Sequence, residues 1–187
     1  MTREFGATAW GRAWLKMIEP VLITGPPDRD LPRARALARR AIEDLAIETN
    51  QVTVRLTERG HEHKITLNIP TWNREEQNVV ARTIGQAASS WSSDLPDHLV
   101  TELTSAGVSI TPPIGEITAT SDTGEASRRH VLAICYALVQ KVDEEPVVAV
   151  RLRMPRVTAP HSGGSASDDM LALADIDPRT FYATIIL

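Results

Sequence analysis

Between Val52 and Ile69 the chain runs on a two-residue rhythm. Val52, Val54 and Leu56 alternate with polar positions, as do Ile65, Leu67 and Ile69, and Glu58-Arg59-Gly60-His61 separates the two runs. Alternation at this period puts one set of side chains on one face of a strand, so the stretch predicts a half-buried antiparallel hairpin. Further short strands are expected at 44–48 and 116–120. On either side the rhythm is helical. Trp10, Trp14, Leu15 and Ile18 form one apolar stripe that starts behind Thr8, a good cap, and ends before Pro20. Both tryptophans are read as core. Pro26-Pro27 within 24–30 marks a loop, and from Pro32 a short arginine-rich helix or turn leads into the first strand.

Asn73 with Glu76 three residues on resembles a capping box. It opens a helix through Val79, Val80, Ile84, Ala87, Ala88 and Trp91. A second helix runs from about Pro96 through Leu99, Val100, Leu103 and Ala106 to Gly107, a residue suited to ending it. Residues 108–113 read as a connector. Ser127 caps an apolar helix carrying Val131, Leu132, Ile134, Cys135, Leu138, Val139 and Val142. In 147–153 the three valines favour a strand. The expected class is α+β: a small antiparallel sheet of about three strands plus a short extra strand, packed against four or more helices.

Two stretches resemble a known family. Phe5-Gly6-Ala7-Thr8-Ala9-Trp10-Gly11-Arg12-Ala13-Trp14 resembles the opening of bacterial proteins that carry a SWIM zinc finger. Residues 117–142 resemble the finger itself, whose pattern is C-x-C, a spacer, then C-x-H leading into an apolar helix. On that pattern the paired cysteines fall at Ser121 and Thr123, the third at Arg128, and the histidine is kept as His130. Structural zinc sites need four electron-rich ligands. A hydroxyl is a poor one at neutral pH, and a guanidinium has no lone pair to give. The resemblance therefore implies a degenerate, metal-free finger within a domain spanning 1–154, with contacts to DNA or protein. It also suggests a helix at 147–153, and against the strand preference of the valines the expectation there leans slightly to helix. His61-x-His63 reads as exposed polar positions, and no metal or cofactor is expected.

Composition narrows the classes. The 187 residues are 42% hydrophobic, enough for a real core. No apolar run approaches the roughly 18 residues of a membrane span, and Arg3 and Glu4 stand where a signal peptide would be apolar, so the expectation is a cytoplasmic protein without membrane contact. The single Cys135 lies on an apolar helix and reads as core. The net charge of −4 argues against bulk attraction to nucleic acid. Local arginine clusters remain: Arg33, Arg35, Arg39 and Arg40; Arg128, Arg129 and His130; Arg151, Arg153 and Arg156. A solvated face is the plain reading of each cluster, and together they are the candidate surface for nucleic acid or a partner.

No phosphate loop, nucleophile elbow or His-Glu-x-x-His occurs, so the chain is not expected to be an enzyme. Two functions fit. One is a non-catalytic binding or adaptor protein acting without zinc in a nucleic-acid-associated complex. The other is a structural subunit of a bacterial nucleoprotein or defence complex that touches protein partners only. Residues 155–167 read as a flexible linker, and 168–187 as an apolar tail that docks on its own domain, on a partner or on a second copy.

Overall fold

A computed structural model describes residues 5–20, 28–87 and 94–154. The linker at 155–167, the tail, Arg156, and the helix positions Ala88 and Trp91 lie outside the described residues. Thr8 caps α1 (Ala9–Ile18) by accepting from the Gly11 amide, and Trp10, Trp14 and Ile18 are buried. Next come α2 (Asp30–Arg40), β1 (Ile42–Glu48), β2 (Gln51–Glu58) and β3 (His61–Asn68), then α3 (Arg74–Ala87) and α4 (His98–Ser105). A single 3-10 turn at Ile114–Glu116 precedes β4 (Thr118–Ser121) and β5 (Gly124–Glu125), and the described chain closes with α5 (Arg128–Glu144) and α6 (Val147–Arg153). The expected α+β class, a small antiparallel sheet against helices, is what the structure has.

The strands pair in chain order, β1-β2-β3-β4-β5, each antiparallel to the next. Register puts Val54 opposite Ile65 and Val52 opposite Leu67, so one face carries an unbroken apolar set, all of it buried. The same register puts Leu56 opposite His63 and Ile65 opposite Ser121. The polar ends of that inner face, Glu58, His63 and Ser121, thus gather at one corner of the sheet.

Two local signals act as expected. The Asn73 side chain accepts from the Glu76 amide while Glu76 accepts from the Asn73 amide, the reciprocal capping box. At the end of α4, Val108 donates to Leu103 and Gly107 to Thr104, with Gly107 at φ +83°; this is the Schellman arrangement in which glycine is favoured. Other boundaries move. The extra strand begins at Thr118 because the 3-10 turn takes up Glu116. Residues 147–153 are helix: Pro146 supplies the first turn, and every residue but Arg151 is buried, which overrides the strand preference of the valines.

The central element is α5, buried from Leu132 through Val139 and packed against α1 and α2. A helix that is apolar nearly all round has to be enclosed. Cys135 is buried, and burial pushes its thiol up to about 12. Among the described residues no helix is long and apolar enough to cross a membrane.

Candidate functional site

The site grows from the way α2 lies on α5. Each helical residue turns about 100° from the last. Ala34 and Ala38 therefore share one face of α2, and both are buried. Arg33 and Arg40, seven residues apart, fall on one side of that seam; Arg35 and Arg39 fall on the other. The expected single arginine cluster is thus two. Arg35 and Arg39, with Phe5, Leu15 and Glu19, line a small cleft. There Arg35 pairs with Glu19, which also accepts from the Tyr136 hydroxyl, and the Arg35 hydrogen bond to Glu19 raises the guanidinium pKa. Arg39 lies 5.2 Å over the Phe5 ring. These two serve packing.

On the other side Arg33 and Arg40 face a notch of about 420 Å³ together with Ala36, Leu37, Glu58, Arg59 and Arg129. Three elements contribute: α2, the β2–β3 turn and the first turn of α5. Arg59 and Gly60 are the two central residues of that turn, at φ +53° and +81°. Positive φ at both marks the two-residue hairpin turn that fits the twist of paired strands. Glycine adopts it freely, whereas an arginine in the left-handed region is strained by about 1–2 kcal/mol. Arg33, Arg40 and Arg59 form no ion pair among the described residues.

Glu58 organises the inner wall. Its carboxylate lies 3.1 Å from the Arg129 guanidinium and 2.8 Å from His130 Nε2. The His130 hydrogen bond first, then the charge of Arg129, hold Glu58 below the ordinary carboxylate range. Ser127 caps α5 by accepting from the His130 amide, and no acidic side chain stands in the first turn of that helix. The two arginines there oppose the helix dipole. Carboxylates from elsewhere answer them: Glu58 serves Arg129 and His130, while Arg128 reaches Asp28 at 2.9 Å. Arg128 is therefore paired, and it does not line the notch.

Ser121, Thr123, Arg128 and His130 are the positions that the SWIM pattern would give to zinc ligands. Ser121 Oγ and Thr123 Oγ1 lie 3.2 Å apart, and His63 Nδ1 is 3.3 Å from Thr123 Oγ1. The His63 and His130 rings stand 5.2 Å apart. Three of the four positions thus lie near His63, a residue outside the finger pattern: Ser121 is bonded to Thr123 and Thr123 to His63, and the His63 ring stands beside that of His130, which is bonded to Glu58. The β4–β5 hairpin delivers the first two of these positions just ahead of α5. Among the described residues no group of three or more His, Cys, Asp or Glu is placed to hold a metal ion.

Of the third arginine cluster the described members, Arg151 and Arg153, part ways. Arg153 is 5% exposed, donates to the Pro70 carbonyl and lies over the Trp72 ring, and burial lowers its pKa. It belongs to the core as a tie between α6 and the segment before α3, where the Trp72 amide also donates to the Arg153 carbonyl. Arg151 is exposed, away from the notch. Sequence reasoning missed Glu58, Arg59 and Asp143. The last of these binds the opening motif: its carboxylate accepts from the Gly6 amide at 2.8 Å and from the Thr8 amide at 2.9 Å.

No protein-family model matches the chain, and neither the curated proteins nor the solved structures contain a significant match.

Proposed function

We propose that the chain is a non-catalytic binding or adaptor module, SWIM-like in plan but organised without zinc, that works in a nucleic-acid-associated complex by holding phosphate in the notch. The observation that carries this reading is the convergence of Arg33, Arg40, Arg59 and Arg129 from three elements on one cleft. Guanidinium forks match phosphate oxygens in pairs, and arginine is the preferred residue for such contacts. Strain accepted at Arg59 supports the same reading, since left-handed backbone at a non-glycine residue concentrates at functional sites. The lining residues include no nucleophile beside a base, which supports binding rather than catalysis.

The test is fluorescence anisotropy with single- and double-stranded oligonucleotides across about 50–200 mM salt, where phosphate contacts register as a linear fall of log affinity with log salt. The wild type is expected to show that fall, and the Arg33→Ala, Arg40→Ala, Arg59→Ala triple variant a slope shallower by about two to three and weaker binding to every sequence. Equal slopes for the two proteins would remove the notch from consideration. The second reading, a structural subunit that contacts protein only, is favoured by the net charge of −4. It predicts co-purification with a partner and no salt-dependent retention of nucleic acid.

A further inference from the structure

Resting on the reading above, we propose that the notch recognises the phosphate monoester at the end of a nucleic-acid strand, in preference to the phosphodiesters within it. A site that follows a backbone spreads its cations along a groove and interleaves aromatic rings on which bases stack. This one does neither. Its four arginines line a single cleft, and of the other arginines on the surrounding elements Arg128 pairs with Asp28, Arg35 with Glu19 and Arg55 with Asp44, while Arg39 stacks over Phe5 on the far side of α2. The remainder of the lining is Ala36, Leu37 and Glu58, with no ring to receive a base.

Positive charge is thus gathered on one notch. Four guanidiniums against one carboxylate leave an excess of positive charge in a space at the small end of ligand pockets, which span about 300–1,000 Å³. A terminal monoester carries about −1.5 to −2 at pH 7 and offers three unesterified oxygens. An internal diester carries a single charge and two. The arginines also arrive from separate directions, as a group with three oxygens requires. Arg33 and Arg40 stand seven residues apart along one face of a helix, Arg59 is carried by a tight turn, and Arg129 is held in place by Glu58. Arg129, held by Glu58, loses less freedom on binding than an unpaired guanidinium would.

The experiment compares oligonucleotides of one sequence that differ only at their ends: 5′-phosphate, 3′-phosphate, or hydroxyl at both. Affinity is measured with the full chain at one fixed salt concentration. At least one phosphorylated end is expected to bind about tenfold tighter than the hydroxyl-ended strand, the size of one added charge-assisted contact. Arg59→Asn is expected to weaken both strands, the phosphorylated one by about tenfold more, so that the advantage of the phosphorylated end is lost. This variant keeps the fold, because Asn-Gly is the dipeptide that such a turn prefers. Equal affinity for all three ends overturns the inference and leaves the broader reading standing. Competition by a phosphoserine peptide as strong as that by the phosphorylated strand also overturns it, by pointing to a phosphorylated protein. Absence of binding by every oligonucleotide at low salt overturns both.

Discussion

Gly11 stands inside α1, where alanine would ordinarily be the better helix former, yet a β-carbon there would overlap the Asp143 carboxylate. That carboxylate receives two amides and the Thr8 hydroxyl, and so joins the opening motif to α5. Gly11→Ala is therefore expected to destabilise the protein by about 1–3 kcal/mol in urea unfolding, despite its helix propensity. Gly85→Ala is the matched control. It too lies in a helix, with nothing within 4 Å of an added β-carbon, and it should stabilise by up to about 1 kcal/mol. Opposite signs are required, and two changes of the same sign would contradict this account of Gly11. Glu58 offers a test by pH. Its pKa is depressed in the folded state, so its contribution to stability is present above the ordinary value of 4.5 and is lost as pH falls through the lower folded value. Glu58→Gln should lower the thermal midpoint at neutral pH, and the gap from wild type should close on acidification below 4.5; a gap constant with pH would refute the pairing. Local caps such as Thr8, Ser127 and the Asn73–Glu76 pair were legible because the capping side chain and the amide that donates to it lie within three residues. Asp143 and Glu58 were not, because their partners stand 135 and 72 residues away.

At the scale of elements, hydrophobic period carried the reading well. The alternating runs became β2 and β3, and the uniformly apolar stretch became the enclosed α5. The arginine clusters were harder to read, because charge in a sequence does not say which side of a helix faces a neighbour. Once Ala34 and Ala38 are seated on α5, Arg33 and Arg40 part from Arg35 and Arg39, and the test set for binding becomes Arg33, Arg40 and Arg59. Arg153 misled in another way: it lies in a run that reads as strand or helix, and only the packing of α6 shows it turned inward. Arg153→Ala removes the hydrogen bond to Pro70 and the stacking on Trp72. It is expected to cost about 2–4 kcal/mol in stability while leaving polyanion affinity unchanged. A variant that stays stable but loses affinity would return Arg153 to the binding surface.

Over the whole molecule, net charge and local charge point in opposite directions. An excess of carboxylates gives −4, but Glu19, Asp28, Asp44 and Glu58 are spent on arginines near them. What remains uncompensated around the notch is Arg33, Arg40 and Arg59. Chain topology makes this arrangement, bringing residues near 33, 59 and 129 to one cleft, and no spacing along the sequence announces it. The corner where Ser121, Thr123, His63, His130 and Glu58 lie is filled by hydroxyl, imidazole and carboxylate groups. Glu58 links it to Arg129, at the edge of the notch. The most direct measurement is an amide chemical-shift titration of the isotope-labelled full chain with a phosphorylated oligonucleotide. Perturbations are predicted at 33–40, 58–60 and 127–130 together, with α3 and α4 unmoved although they carry Arg74, Arg82 and His98. Shifts confined to α3 or α4, or none in the three notch segments, would contradict the account.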